Sequence, residues 1–123
     1  MNDSGFWAEY VRELDVDVLG STPETERVSQ SMIDKLEPRA AEIRYIRTPP
    51  GGGSPRGPHT HDFEQIFYIL EGTMEIEILG RPRSVGPGSV VVFPRGVEHR
   101  NWNESDRPTV HLAVNIPVEG DRK

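Results

Sequence analysis

The side chains with the clearest chemical use are two histidines, His59 and His61, placed two residues apart. Side chains two positions apart on a strand point to the same face, so both imidazoles would project to one side. Gln65 has the same parity and joins them if the strand stays regular. Neutral imidazole is the commonest protein ligand of metal ions, and a glutamine side chain adds a carbonyl oxygen. The spacing predicts part of a metal site, although two exposed histidines on an edge strand would show the same pattern.

A metal held on one strand needs a further ligand from elsewhere in the chain, and His99 is the candidate. It follows Pro94-Arg95-Gly96, a turn that can return the chain to the same end of the fold. Arg95 and Arg100 flank His99, where they would either bind a substrate carboxylate or remain solvated. The chain has no cysteine, which excludes disulfides and thiolate ligands.

The fourth histidine, His111, lies in the strand-like segment 109–116. It shares a face with Thr109, Ala113 and Asn115, whereas the alternate residues are all aliphatic. If the polar face lines the interior of the fold, His111 is a general base, a group that supports the ligands, or an additional ligand. The alternative is a histidine that faces solvent.

Most of the chain has the pattern of short strands joined by turns. The predicted strands are 40–47, 59–70, 73–79, 89–93 and 109–116. Segment 73–79 alternates apolar residues with glutamate, which predicts a half-buried strand, while the valine run in 89–93 predicts a fully buried one. Proline and glycine predict a loop over 49–58 and a turn region over 80–88. Short strands at this spacing favour a sandwich or barrel.

The N-terminal section, up to Pro38, has a different pattern. Four apolar residues recur at helical spacing and predict a short amphipathic helix: Phe6, Tyr10, Val11 and Leu14. Thr22-Pro23 resembles a second helix start, with proline in the first helical position. With Trp7, this section carries more apolar surface than a free tail should show, so we expect it to pack on the barrel or on a partner in a homodimer.

Size and charge limit the function classes. The 123 residues suffice for one domain, and the formal net charge of −6 with no basic cluster argues against nucleic acid and anionic membranes as partners. The first residues lack the basic start and apolar run of a signal peptide, and no stretch approaches the ~20 apolar residues that span a bilayer. We therefore expect a cytoplasmic protein.

Two motifs in this sequence resemble those of the cupin superfamily. The first motif of that family is G-x5-H-x-H-x3,4-E-x6-G, and the second is G-x5-P-x-G-x2-H-x3-N. The first is matched by Gly53, His59, His61, Gln65 and Gly72, with Gln65 where most cupins have glutamate. The second is matched at every fixed position, by Gly88, Pro94, Gly96, His99 and Asn103. Fifteen residues, Thr73 to Pro87, separate the motifs, which is typical of compact microbial cupins.

This resemblance implies an all-β fold, the double-stranded β-helix or jelly-roll barrel, with a short N-terminal extension. The expected division is an extension over 1–38, a cupin barrel over 39–118 and a tail over 119–123. The resemblance also implies that one divalent transition metal ion (iron, manganese, nickel, cobalt or zinc) is held by His59, His61, Gln65 and His99. A neutral glutamine ligand leaves the charge on such an ion near +2, which strengthens it as a Lewis acid.

The expected function is a metal-dependent enzyme that acts on a small oxygen-bearing substrate by Lewis-acid isomerisation, cyclisation or elimination, with His111 as a catalytic base. Related cupins with three histidines and a glutamine include isomerases of sugar acids, polyketide cyclases, lyases of small sulfonium acids, and dioxygenases. The alternatives are an iron(II) dioxygenase on the same ligands, or a cupin that binds a small molecule without catalysis.

Overall fold

The computed structural model describes residues 4–7, 11, 13–32, 41–54 and 57–117. Within these ranges the chain forms two antiparallel sheets and two short helices, which confirms the predicted all-β jelly-roll fold. Tyr10, Pro38 and the predicted tail over 119–123 lie outside the described residues. The predicted domain limits stay a prediction.

The larger sheet has five strands in the order β1-β2-β8-β3-β6, and the smaller has three in the order β5-β4-β7. The strands of the larger sheet are β1 (Val28–Ser31), β2 (Glu42–Thr48), β3 (Phe63–Glu71), β6 (Val90–Phe93) and β8 (Thr109–Pro117). Those of the smaller sheet are β4 (Met74–Ile78), β5 (Arg81–Val85) and β7 (His99–Trp102).

The hydrophobic core lies between the two sheets and follows the alternation of the strands. On β3, Phe67 and Ile69 are buried, and on β4 Met74 and Ile76 are buried, as the period of two predicts. Phe93 of β6 packs edge-on against Phe67, with ring centroids 5.0 Å apart. This apolar layer lies behind the candidate site and supports the side chains that project from β3 and β8.

Two predictions for the segment 80–93 were wrong. The 80–88 region, predicted as a turn, contains β5, because Leu79 and Gly80 with φ of 51° and 82° form a tight hairpin turn that pairs β5 with β4. The 89–93 segment, predicted to be fully buried, is half-buried: Val90 and Val92 are 60% and 52% exposed. The reason is that β6 lies at the edge of the larger sheet and pairs with β3.

The N-terminal section also differs from prediction. In the part that the structure describes, helix α1 is Ser4–Trp7, and Val11 and Leu14 lie in no helix. Helix α2 is Val16–Ser21, capped by the Asp15 carboxylate, which accepts from the Val18 N–H at 3.1 Å. Thr22 ends α2 instead of starting a helix, since its N–H donates to Val18 O at 3.0 Å. Among the described residues, no helix is long and apolar enough to cross a bilayer.

Strand β1 was not predicted, and it brings the end of the N-terminal section onto the larger sheet. It pairs antiparallel with β2, Val28 opposite Arg47. The Arg47 guanidinium also donates to the carbonyls of Thr22 and Pro23, at 2.8 and 3.0 Å. These bonds fix the segment before β1 against the barrel, with Arg27 as the last residue before the strand.

The loop before the first histidine is held close to β7. Gly53 has φ of 104° and forms an isolated bridge with Trp102, and a Cβ there would lie 2.5 Å from the Asn101 carbonyl oxygen. Asn103, fully buried, donates to the carbonyls of Thr48 and Arg107 at 3.1 and 2.7 Å. The glycine and asparagine of the two motifs therefore fix the loops around the site.

Candidate metal centre

Three histidines from the two motifs meet at one end of the barrel. His59, His61 and His99 each offer a nitrogen, and these ligand atoms all lie within 4.8 Å of one another. The ring centroids are 4.8 Å apart for His59 and His61, 4.6 Å for His59 and His99, and 5.1 Å for His61 and His99. We call this group the histidine cluster.

The backbone that carries the cluster is less regular than the sequence predicted. Regular pairing of β3 begins only at Phe63, so His59 and His61 precede the strand. His59 is held by an isolated bridge to His99, with N–H to carbonyl distances of 2.8 and 2.9 Å in the two directions. The bridge brings the first motif to β7 and places the rings side by side.

His99 is oriented for a ligand. Its Nδ1 lies 2.9 Å from the Val97 carbonyl oxygen, an acceptor, so Nδ1 carries the proton and Nε2 keeps its lone pair. The side chain is only 2% exposed, and Nε2 is buried without a hydrogen-bond partner in the described part of the chain. Buried polar atoms are nearly always bonded. An orphaned imidazole nitrogen beside two other imidazoles fits a divalent transition metal.

Aromatic packing fixes two of the cluster rings. Phe93 stacks on His99 with centroids 4.1 Å apart, and Phe63 stacks on His61 at 4.6 Å. Burial lowers the pKa of His61, and the neighbouring rings of His59 and His99 lower it further. Burial likewise lowers the pKa of His99. Neutral imidazole is the form that binds metal, so these shifts favour the ligand state.

Gln65 lines the same cavity as His59 and His61, and its amide is oriented by a chain of polar contacts. Its Nε2 donates to Asn115 Oδ1 at 2.8 Å, and Asn115 Nδ2 donates to Glu42 Oε1 at 2.9 Å. Arg44 completes the chain with an ion pair to Glu42 at 2.9 Å. The Asn115 bond, helped by Arg44, lowers the pKa of the Glu42 carboxyl. Because Nε2 is engaged, Oε1 is the amide atom left for a metal.

His111 lies deeper in the same cavity and is 2% exposed, so it does not face solvent. Its ring centroid is 4.3 Å from that of Phe67. Both ring nitrogens are buried without hydrogen-bond partners among the described residues. Burial, with a smaller contribution from the charge of Arg27, lowers the pKa of His111 to about 4. His111 is therefore neutral at pH 7 and a weaker base than an ordinary histidine.

The cavity that joins these groups has a volume of about 240 Å³. Its walls come from both sheets and from the segment before β1. The lining residues are Arg27, Ile46, Thr48, Gly53, Ser54, His59, His61, Gln65, Phe67, Asn101 and His111. The structure thus places His59, His61, Gln65 and His111 around one space, with His99 against His59.

Sequence reasoning missed two groups of this site. Asn115 had been placed on the face of His111, four residues further along β8, and that spacing was the available signal. For Arg27 the sequence offered no such signal, because β1 was not predicted. The two arginines that sequence did single out are elsewhere: Arg100 pairs with Glu77 at 2.7 Å and lies over the Trp102 ring, and Arg95 is exposed and not on this cavity.

Comparison with known proteins agrees with the two motifs and the fold. The family model of the cupin domain matches residues 44–115. The chain belongs to the cupin family. The polyketide cyclase RemF from Streptomyces resistomycificus has a similar structure, with a TM-score of 0.64 and 28% identity over 74% of this cupin and 65% of that chain.

Two curated relatives illustrate the range of similar sequences. Germin-like protein 1-1 of Oryza sativa subsp. japonica is 36% identical over 95 residues, which cover 72% of this cupin and 42% of the relative. Dimethylsulfoniopropionate lyase DddQ of Ruegeria pomeroyi is 39% identical over 57 residues, which cover 46% of this cupin and 28% of the lyase. This cupin spans less than half the length of these relatives.

Proposed function

We propose that this cupin is a metal-dependent enzyme that isomerises, cyclises or eliminates a group from a small oxygen-bearing substrate. The observation that carries the proposal is the buried Nε2 of His99, which has no hydrogen-bond partner in the described residues and lies beside two imidazoles. Burying such an atom without a partner costs about 1–3 kcal/mol. A purely structural role gives no reason for that cost, whereas a metal ligand does.

The residues that would hold the ion are His59, His61 and His99 through nitrogen, and Gln65 through Oε1. When bound, a divalent ion would act as a Lewis acid toward a substrate oxygen. Gln65 contributes no charge, so less of the ion's charge is neutralised than with a glutamate in its place. The orientation of the amide depends on Asn115, which keeps the oxygen available.

His111 is the residue of this cavity suited to move a proton. It is neutral at pH 7, so one ring nitrogen has a free lone pair, and the described residues occupy neither nitrogen. A pKa of about 4 makes it a weak base, so it can accept a proton only from a strongly acidified carbon or hydroxyl. Burial against Phe67 keeps bulk water from competing for that proton.

Two of the similar proteins support chemistry without a redox step. One is named as a lyase and one as a polyketide cyclase. Elimination and cyclisation both begin with polarisation of a substrate oxygen and loss of a proton. The three-histidine cluster and the neutral His111 supply groups for these two operations.

The test has two parts. Elemental analysis of protein purified without added metal should find about one divalent transition metal per chain. The metal-loaded protein should then be assayed without oxygen, with zinc or nickel, on small hydroxy acids, unsaturated sugar acids and sulfonium acids. Turnover under these conditions supports the proposal. Turnover that requires both iron and oxygen, with both oxygen atoms in the product, would replace it with a dioxygenase.

We also propose that the protein forms a homodimer through the free edge of β6. Within the described part of the chain, β6 pairs with β3 alone, and its residues Val90–Phe93 carry no charge. The other nearby edge, β5, is protected by Arg81, Pro82 and Arg83. Val90 and Val92 are 60% and 52% exposed, so a second copy would cover apolar surface.

Light scattering should give twice the chain mass for the wild type. Val92→Lys places a charge on the proposed contact and should give a monomer, while Ser84→Lys on the protected edge should leave the dimer intact. A wild-type monomer at micromolar concentration would contradict this interface. The apolar N-terminal residues, among them Phe6 with 58% exposure, offer a second contact, and deletion of residues 1–15 measures their contribution.

A further inference from the structure

Arg27 is the one positively charged side chain among the described residues that line the histidine cavity. It stands immediately before β1, is exposed, and lines the same cavity as His59 and His61. It makes no hydrogen bond or ion pair with the part of the chain that the structure describes. Its guanidinium is therefore available to a ligand in the cavity.

No acidic side chain among the described residues lines this cavity. Asp62 neighbours His61 but is exposed and lies off the lining, and Glu42 is engaged by Asn115 and Arg44. The family position that most often supplies a carboxylate is Gln65 here. The cavity thus has a cationic wall and no described group that neutralises it.

The charge of Arg27 acts inside the cavity and not only at its surface. It contributes, after burial, to the lowering of the pKa of His111, a residue of the same cavity lining. Arg27 and His111 line the same cavity, so an anion bound to Arg27 would share that space with His111.

The size of the cavity limits what that anion is. Its volume of about 240 Å³ is below the roughly 300–1,000 Å³ of sites for drug-sized ligands. Guanidinium binds carboxylate with two parallel hydrogen bonds, a geometry that an amide cannot reproduce. We propose that Arg27 binds the carboxylate of a small acid, so that a second oxygen of the same molecule reaches the histidine cluster. This deepens the proposed function and rests on it.

The test uses Co²⁺-loaded protein and three hydroxy acids of increasing length, each with its amide: glycolate, 3-hydroxypropanoate and 4-hydroxybutanoate. Binding is followed by the change in cobalt absorption. The acid that the wild type binds most tightly should bind to Arg27→Gln about tenfold more weakly than to the wild type. The affinity for the corresponding amide should fall by less than about twofold. Arg83→Gln, which removes an exposed arginine of β5, should change neither by more than about twofold. Arg27→Lys should restore part of the loss.

The proposal is overturned if Arg27→Gln weakens acid and amide equally, or weakens neither, while both still bind. In that case the metal site stands and the assignment of Arg27 falls. If Arg27→Gln lowers the affinity for 2-hydroxyethyl phosphate more than that for every acid, the group that Arg27 binds is a phosphate. That result would overturn the proposed ligand class.

A second measurement does not depend on metal. In metal-free protein, 3-hydroxypropanoate should shift the NMR signals of the Arg27 guanidinium and the His111 ring, and its amide should shift them much less. If cobalt does not load at all, the proposed metal enzyme fails, and these shifts alone decide whether Arg27 binds carboxylate. The absence of shifts with the acid would overturn the inference.

Discussion

His99 and His111 are equally buried, each 2% exposed, yet their surroundings differ: His99 packs against His59 of the cavity wall, whereas His111 itself lines the cavity. In the histidine cluster, the Val97 carbonyl accepts from Nδ1 of His99, and two other imidazoles lie within 5.1 Å of its ring. By contrast, both nitrogens of His111 lack partners among the described residues, and its near neighbour is Phe67.

The surroundings of each ring indicate what that histidine can do. A histidine with a fixed tautomer and its free nitrogen beside two others is arranged to share an ion. A histidine without hydrogen bonds, next to an aromatic ring and near an arginine charge, resists protonation but keeps its lone pair. We therefore propose that metal binding and proton transfer are carried by different histidines of this site.

The largest expected effect is on metal content. The double variant His59→Ala, His99→Ala removes two of the three clustered nitrogens and should lower bound metal from about one per chain to a few per cent. His111→Leu should retain the full amount, because His111 is assigned no ligand role. Elemental analysis measures both, and circular dichroism checks that the double variant stays folded. Equal loss of metal in His111→Leu would mean that the cluster and His111 form one ligand set.

The next effect is the dependence of stability on pH in the metal-free protein. The folded-state pKa of His111, about 4, lies below its unfolded value near 6.5, so the unfolded state takes up the proton first as pH falls. Stability is therefore full above pH 6.5 and should decline by about 3 kcal/mol as the pH falls to about 4. His61 and His99, whose pKa values are also lowered, add to the decline.

Urea unfolding of the wild type and of His111→Leu, at about pH 7 and about pH 4.5, measures how much His111 contributes to this change in the free energy of unfolding. The variant should lose much less stability than the wild type over that range, since the leucine cannot be protonated. At neutral pH it should be as stable as the wild type or about 1 kcal/mol more stable, because two unpartnered buried nitrogens are removed. Parallel pH profiles for the two proteins would show that His111 does not carry the effect.

Much of this arrangement could be predicted from sequence, because motif spacing and strand alternation act locally. The grouping of His59, His61 and His99 followed from the two motifs, and the period of β8 put His111 and Asn115 on one face without deciding whether that face is buried. Strand β5 was not predicted, because the polar segment Arg81–Val85 has little apolar alternation and depends on pairing with β4. Arg27 reaches the cavity through β1, a pairing with β2 that no local pattern indicates.

A smaller effect concerns Gln65, the proposed fourth ligand. Gln65→Ala removes the amide oxygen and should weaken metal binding about tenfold, whereas Gln65→Glu should keep or tighten it, because carboxylate is the stronger donor. Activity of Gln65→Glu should still change, since the ligand neutralises part of the ion's charge. Competition with a chromogenic chelator gives both affinities. If neither variant alters affinity or activity, Gln65 does not touch the ion.

The smallest effect tests whether Asn115 orients Gln65. Asn115→Leu removes the acceptor for Gln65 Nε2, so the amide can rotate, and metal affinity should fall by roughly three- to tenfold. Asn115→Asp keeps that acceptor but replaces the donor to Glu42 with a carboxylate, so affinity should be retained while stability falls. The two variants therefore separate orientation of Gln65 from stability of the polar chain. Equal affinities in the wild type and Asn115→Leu would show that the barrel positions Gln65 without Asn115.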